Sequence, residues 1–505
     1  MSVVLDISHQ DEPTLQFGGG HEARSPKEGL MQGGPYDLVL GNAHRSQLRL
    51  GLIGPPEAVR STRDFLGRIE RGVSAEKANL ALFPDFPSFE SVYRATLATD
   101  TAWDHVIPAK TYASALARPP HDTFVDAVDL YGSALDALAR REVPLDVVVC
   151  CVPSELRSRC GTVEANLPQG QLRTLRKQQA LEAAGQFRLF DQDPHRGDAQ
   201  SLEDAAEPKP EDLLTRNFRS ALKARAMEAK LPIQLVTDDL WSDRRGSEDA
   251  ATRAWNLSVA LFYKAGGIPW RADMHLDEAC FVGISFHHLR TRKSHVVYSS
   301  LAQAFSSDGE GFALRGEAVP YDETRKQPYL NAKKAKVLLG KVLAAYRERA
   351  GRDPVRIVVH KTSEFTEAER EGVAAALTSV PSVQLITIRS RHDFRLLRQG
   401  GTYPPHRGTL CRLGDANFLF TVGYQAQHLT YPGPHIPVPI EIRGAGIDEV
   451  DAVADDLLCL TKMNWNSARS AAAHPITLSF ARKVGGIMAE LPPGVEPHPS
   501  FRYYM

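Results

Sequence analysis

The strongest constraint on this chain is the alternation of short apolar runs with amphipathic, helix-length stretches. "SQLRLGLIG" reads as a buried strand and "PEAVRSTRDFLGRIERG" as a helix opened by Pro55 or Pro56, while "NLALFPDF" reads as a further strand. "HDTFVDAVDLYGSALDALARRE" carries apolar residues at Phe124, Val125, Val128, Leu135 and Leu138, a helical stripe, and "LDVVVCCV" follows as a strand. Alternation of this kind implies an α/β layer built on a largely parallel sheet.

The same reading extends along the chain. Residues 1–35, Gly-rich and without a period, are expected to form an irregular arm, and residues 186–212 an inserted polar loop. "RSALKARAMEAK" is a helix that breaks at Pro232 into the strand "PIQLV"; after the polar insertion "TDDLWSDRRGSEDAAT", the helix "RAWNLSVALFYKAGG" stops at Gly266 and Gly267. A second unit starts near Arg271. It runs as the strand "ACFVGISFHHL", two antiparallel strands around "SSDGEG", the helix "KKAKVLLGKVLAAYRER", the strand "PVRIVVHK", a helix capped by Thr366 with Glu369 in the capping-box position, and the strand "VQLITIRS". That element order is the order of an RNase H-like fold.

Composition sets limits. With 505 residues and 43% hydrophobic content the chain can bury a large core spread over two to four domains, and a formal net charge of -1 gives no bulk attraction to polyanions. Any nucleic-acid site must arise locally. The start lacks the apolar core of a signal peptide and no apolar run is long enough to span a bilayer, so a cytoplasmic protein is expected. Six scattered cysteines without a CxxC pair read as buried free thiols.

Arg219 and Lys223, four apart, share one helix face, with Leu222, Ala226 and Ala229 covering the other. Gln234 follows eleven residues after Lys223, and Lys264 ends the next helix. On spacing alone the two cations read as a solvated helix face. Converging with Lys264 and Gln234, they could neutralise and orient one terminal phosphate. The histidine pair His287 and His288 points to opposite faces of a strand and is not a metal motif. The Gly18–Gly20 run lacks the setting of a phosphate loop, and "NLS" at Asn256 is not a meaningful glycosylation acceptor. The basic run "RSRHDFRLLRQGGTYPPHRGTLCR" suits either phosphates along a duplex or a solvated loop.

This pattern, followed by "LFYKAGGIPW" and "CFVGISF", resembles the junction between the MID and PIWI domains of prokaryotic Argonautes. "VVHKTSEFTEAERE", "IPVPIEIRGAG" and "LTKMNWNSARSAAAHPITLSFARKVGGIM" are similar, in the right order, to a PIWI strand-to-helix segment, its proline-containing strand and its carboxy-terminal helices. The resemblance implies a Rossmann-like MID domain over 36–270 and an RNase H-like PIWI domain over 271–505. It implies a pocket for the guide 5′-phosphate made of Arg219, Lys223, Gln234 and Lys264, with the carboxylate of Met505 helping to hold a magnesium ion there. It also places Ser285, Thr362 and Arg482 where slicing Argonautes carry carboxylates for two metals, so binding without cutting is expected. The alternative is a nuclease using a displaced set, Glu310, Glu364 and Asp415. Length leaves room for a MID domain but not for the additional amino-terminal and PAZ domains of long Argonautes. As a family, short inactive Argonautes bind a guide RNA, recognise single-stranded target DNA and activate a separate APAZ-effector protein, sirtuin-like or TIR, whose NAD consumption halts the infected cell.

Overall fold

The computed structural model describes residues 5–76, 79–165, 172, 173, 176, 215–242, 248–272, 278–289, 297–306, 311–322, 327–390, 392–397, 403–431, 436–445, 450–492 and 495–505, with some side chains within these strands and helices also left undescribed. The expected loop over 186–212, the turn around residue 308 and Glu310 lie outside the described residues.

A five-stranded parallel sheet organises the first half, in the order Ile233–Val236, Val147–Cys151, Gln47–Gly54 and Thr96–Ala98, with His105–Val106 also pairing Gln47–Gly54. Every residue of Val147–Cys151 is buried, as its uninterrupted apolar sequence requires of a strand covered on both faces. The helix Pro56–Arg71 starts with Pro in its first turn and Glu57 against its positive end, and ends with Arg68 and Arg71 before Gly72, whose φ of 108° suits glycine. It buries Val59, Thr62, Leu66 and Ile69, spaced three or four apart. Pro120–Ala139 buries Phe124, Val128, Tyr131, Leu135 and Leu138, whereas Val125 is exposed.

The second half is a ten-stranded sheet in the order Leu5–His9, Thr409–Leu413, Ala416–Leu419, Ile440–Ala445, Ser382–Arg389, Arg356–Lys361, Ala279–Leu289, Val297–Ser306, Gly311–Asp322 and Gln327–Pro328. Ala279–Leu289, Arg356–Lys361 and Ser382–Arg389 are parallel to one another, and the other pairings are antiparallel. Along Ala279–Leu289 the period of two separates two cores. Cys280, Val282, Ile284 and Phe286 pack with Leu338 and Val342 of the helix Ala332–Ala350, and Phe281 belongs to the cluster of Leu457, Val484 and Ile487. The Thr366–Glu369 capping box opens the helix Glu367–Ala376 as expected.

Three expectations are corrected. Residues 1–35 are not an irregular arm: Leu5–His9 pairs antiparallel with Thr409–Leu413, Leu15–Gln16 pairs with Arg271–Ala272, and Pro26–Gly33 is a helix. The segment is held by a buried ion cluster. Glu12 accepts from Arg407 Nε at 2.8 Å and lies 2.5 Å from Lys462 Nζ, which also donates to the carbonyls of Pro13 and Arg24. "NLALFPDF" is not a strand but a turn, with one bridge between Phe86 and Val73, because Pro84 and Pro87 flank its end. In "LTKMNWNSARSAAAHPITLSFARKVGGIM" Leu460 ends the helix Val450–Leu460 and Ala481 starts the helix Ala481–Glu490, while the stretch between them is a series of turns packed on the sheet. A Cβ at Gly283 would lie 1.8 Å from the Thr477 carbonyl oxygen, so the approach requires glycine.

All six cysteines are buried and free. Among the described residues no helix is long and apolar enough to cross a membrane.

Candidate nucleic-acid interface

The helix Phe218–Glu228 is capped by Asn217, whose side chain accepts from the Ser220 amide, and ends before Lys230 at φ 56° and Pro232. Its cation Lys223 is not on a solvated face: it is 2% exposed, buried with Leu222 and Ala226. Lys223 Nζ donates to the main-chain oxygen of Met505 and lies 3.5 Å from that of Tyr503. Pro232 ends the helix turn and directs the chain into Ile233–Val236, which joins the sheet edge beside Val147–Cys151. There Gln234 faces Lys264, the last residue of Ala250–Lys264, and Gly266 and Gly267 stop that helix as expected. Lys264 is fully buried, and its Nζ donates to Gln234 Oε1 at 2.8 Å and Asn466 Oδ1 at 3.0 Å.

The electrostatics follow from burial. Lys223 is held far below the ordinary lysine value by desolvation, then by the charges of Arg219 and Lys264, with Lys483 adding to them. Lys264 is pushed down to about 7 by burial and by Arg219. Four cations from three helices thus crowd one site in which two lysines hold their charge only at a cost. An incoming anion relieves that cost.

The structure therefore brings together Lys223, Gln234, Lys264 and Met505, with Arg219 close enough to act on both lysines. Asn466 and Lys483 were missed. Both sit in the segment singled out for its resemblance, but a side-chain acceptor among turns carries no periodic signal.

Magnesium does not fit this donor set unaided. Among the described residues the site offers a main-chain oxygen of Met505, engaged by Lys223, and the amide oxygens of Gln234 and Asn466, engaged by Lys264, all within a cationic surround that repels a divalent ion.

Ser285 lies on the face of Ala279–Leu289 against which residues 474–490 pack, and its Oγ is buried with no hydrogen-bond partner among the described residues. On the neighbouring strand His360 Nδ1 pairs with Thr477 Oγ1 at 2.8 Å, and burial pushes this imidazole down to about 3. Thr362 follows that strand, and Arg482 opens Ala481–Glu490 with its side chain outside the described residues. Of the displaced carboxylates, Glu310 lies outside the described residues. Glu364 pairs with Arg389 at 2.8 Å, and Asp415 sits in a hairpin three strands from Arg356–Lys361, about 14 Å at 4.8 Å per strand. His287 and His288 lie on the strand, their side chains outside the described residues.

In the basic run Arg395 is exposed, Arg391 and Arg398 lie outside the described residues, and two other arginines turn inward. Arg407 is buried, bonded to Glu12 and to the Leu458 carbonyl and Thr461 hydroxyl, and Arg412 pairs with Asp6 and Asp451. These cations fasten the amino-terminal segment instead of facing outward.

Set beside solved structures, the chain superposes over nearly its whole length on Argonautes. This is the Argonaute fold. It aligns with Clostridium butyricum Argonaute bound to a guide DNA and a 19-mer target DNA at a TM-score of 0.60 and 14% identity, over 97% of this chain and 54% of that one. Drosophila Piwi aligns at 0.59 and 12%, over 99% and 56%. Aquifex aeolicus Argonaute aligns at 0.54 and 14%, over 98% and 57%. The chain thus spans little more than half the length of the structures it matches. No family model and no curated protein sequence matches it.

Proposed function

We propose that this chain is a short Argonaute of MID–PIWI organisation that binds the 5′-phosphate of a guide strand, RNA by its resemblance, and presents that guide to single-stranded target DNA. The observation that carries this reading is the buried convergence of Lys223, Lys264, Gln234 and Asn466 beside Met505, with Arg219 and Lys483 close by. A dianionic phosphate supplies the countercharge that the two lysines lack, and the amides orient it. The lysines do the neutralising that the resemblance assigns to magnesium; a metal would need the phosphate's own oxygens as ligands. Base pairing then reads sequence while the protein reads the strand end and backbone.

In this reading the chain does not cut, because Ser285 and Thr362 offer neutral hydroxyls where metal ligands are required. Its output passes to a cytoplasmic APAZ-effector partner, sirtuin-like or TIR, that depletes NAD in defence against invading DNA. A purification that yields no co-purifying effector would remove that part of the proposal.

Lys223→Glu tests the pocket. The variant should lose all preference for a 5′-phosphorylated over a 5′-hydroxyl strand, and an unchanged preference refutes the assignment.

A further inference from the structure

Four rings from three separate segments line up on the surface of the second half. Tyr403 and Tyr424 lie 4.7 Å apart between centroids, Tyr424 and His406 5.1 Å, and His406 and His9 5.8 Å. The row is exposed at both ends, at Tyr403, which is 47% accessible, and at His9, and Leu429 beside the same loop is 74% accessible. It is also rigid. His406 and Tyr424 face each other across a parallel β-bridge, with the Arg407 amide donating to the Tyr424 carbonyl and the Tyr424 amide to the Pro405 carbonyl. Gly423 lets the two segments touch, since a Cβ there would lie 2.4 Å from the Pro405 oxygen. His9 is fixed by the pairing of Leu5–His9 with Thr409–Leu413.

We propose that this row is a stacking platform for unpaired bases of a single nucleic-acid strand. Arg407 and Arg412 turn to buried or acidic partners, so what this stretch offers solvent is ring faces for bases instead of charge for backbone. Planar rings with polar edges suit bases. The platform is also tied to the phosphate pocket. Asn466 bonds Lys264 in the pocket, and four residues on, a span of at most about 14 Å, Ser470 bonds His428 of the loop that follows Tyr424. A strand held by its end at the pocket and directed along this connection runs toward the rings. The inference rests on the proposed pocket for that direction of travel, but the stacking itself does not need a 5′-phosphate.

The test measures binding of a short single strand to the full chain, with 5′-phosphate and with 5′-hydroxyl, for the wild type, Tyr403→Ala, Tyr424→Ala and Tyr424→Phe. Each alanine variant should bind both strands about tenfold more weakly, and phenylalanine should restore binding. Placing an abasic site at successive positions should reveal one where the wild type loses that same factor and the alanine variant loses nothing more. Binding within twofold of wild type for both alanine variants, with unchanged thermal stability, overturns the platform, as does an abasic loss that is additive at every position. The ratio between 5′-phosphate and 5′-hydroxyl strands should be untouched by the ring variants, so failure of the pocket, read from Lys223→Glu, is separable from failure of the platform.

Discussion

Protonation of Lys264 should tie phosphate binding to pH. In the folded chain this lysine is pushed down to about 7, against 10.5 when free, by burial and by Arg219. Between those values the unfolded chain keeps a proton that the folded chain has lost. Stability therefore rises with pH across that window, and the penalty is fully present below pH 7, at most about 5 kcal/mol. A bound phosphate reverses the balance by favouring the charged amine. Above pH 7 binding must then take up a proton, and affinity falls by up to about tenfold per pH unit. The phosphate contributes nothing to this slope, since its second pKa is about 6 and it is dianionic throughout. Lys223, also depressed, adds in the same direction. The assay is the ratio of dissociation constants for 5′-phosphate and 5′-hydroxyl strands of one sequence, from pH 7 to 9 at fixed ionic strength. Lys264→Met should flatten that ratio in part and weaken phosphate preference. Its stability should change little, because removing a buried charge offsets leaving Gln234 Oε1 and Asn466 Oδ1 without their donor, about 1–3 kcal/mol each. A ratio constant or rising with pH refutes the reasoning.

Two further outcomes are expected. Glu12→Gln leaves Arg407 and Lys462 buried without a carboxylate, and should destabilise the chain by about 3–5 kcal/mol, read as a lowered midpoint in denaturant; a midpoint matching wild type would show the cluster to be dispensable. Incubation with guide, target and manganese should yield no guide-dependent product. Cleavage that persists after trace nucleases are removed would overturn the non-cutting proposal.

Elements with a strong period were readable from the sequence because burial imposes it: the Val147–Cys151 run, the Pro56–Arg71 stripe and the Thr366–Glu369 cap all formed as expected. Lys223 shows where such reasoning stops. Its spacing from Arg219 describes a helix face, but only the fold decides whether that face meets water or the end of the chain. The same limit hid the order in residues 1–35, whose strand alternates Leu5 and Ile7 with Asp6 and Ser8 over only five residues, leaves both apolar residues exposed, and forms along the edge of Thr409–Leu413. Asn466 and Ser470 sit among turns, and their roles appear only when Lys264 and His428 arrive from elsewhere.

The buried lysines of this chain separate into two kinds by their partners. Lys361 is closed by the Glu369 carboxylate at 2.7 Å and framed by the rings of Phe286, Tyr329 and Phe365; Glu369 is further committed to the amides of Leu330 and Thr366. Lys462 is closed by Glu12, which holds it up against burial at about 8. Each has its own carboxylate and no use for an outside anion. Lys264 has only two neutral amide oxygens, and Lys223 only main-chain oxygens at the end of the sequence. A core that needed a cation for packing alone would gain by pairing it, as it does twice. Among the described residues Lys223 and Lys264 have no side-chain carboxylate and lie near Arg219, a cost in stability that the proposed phosphate would return.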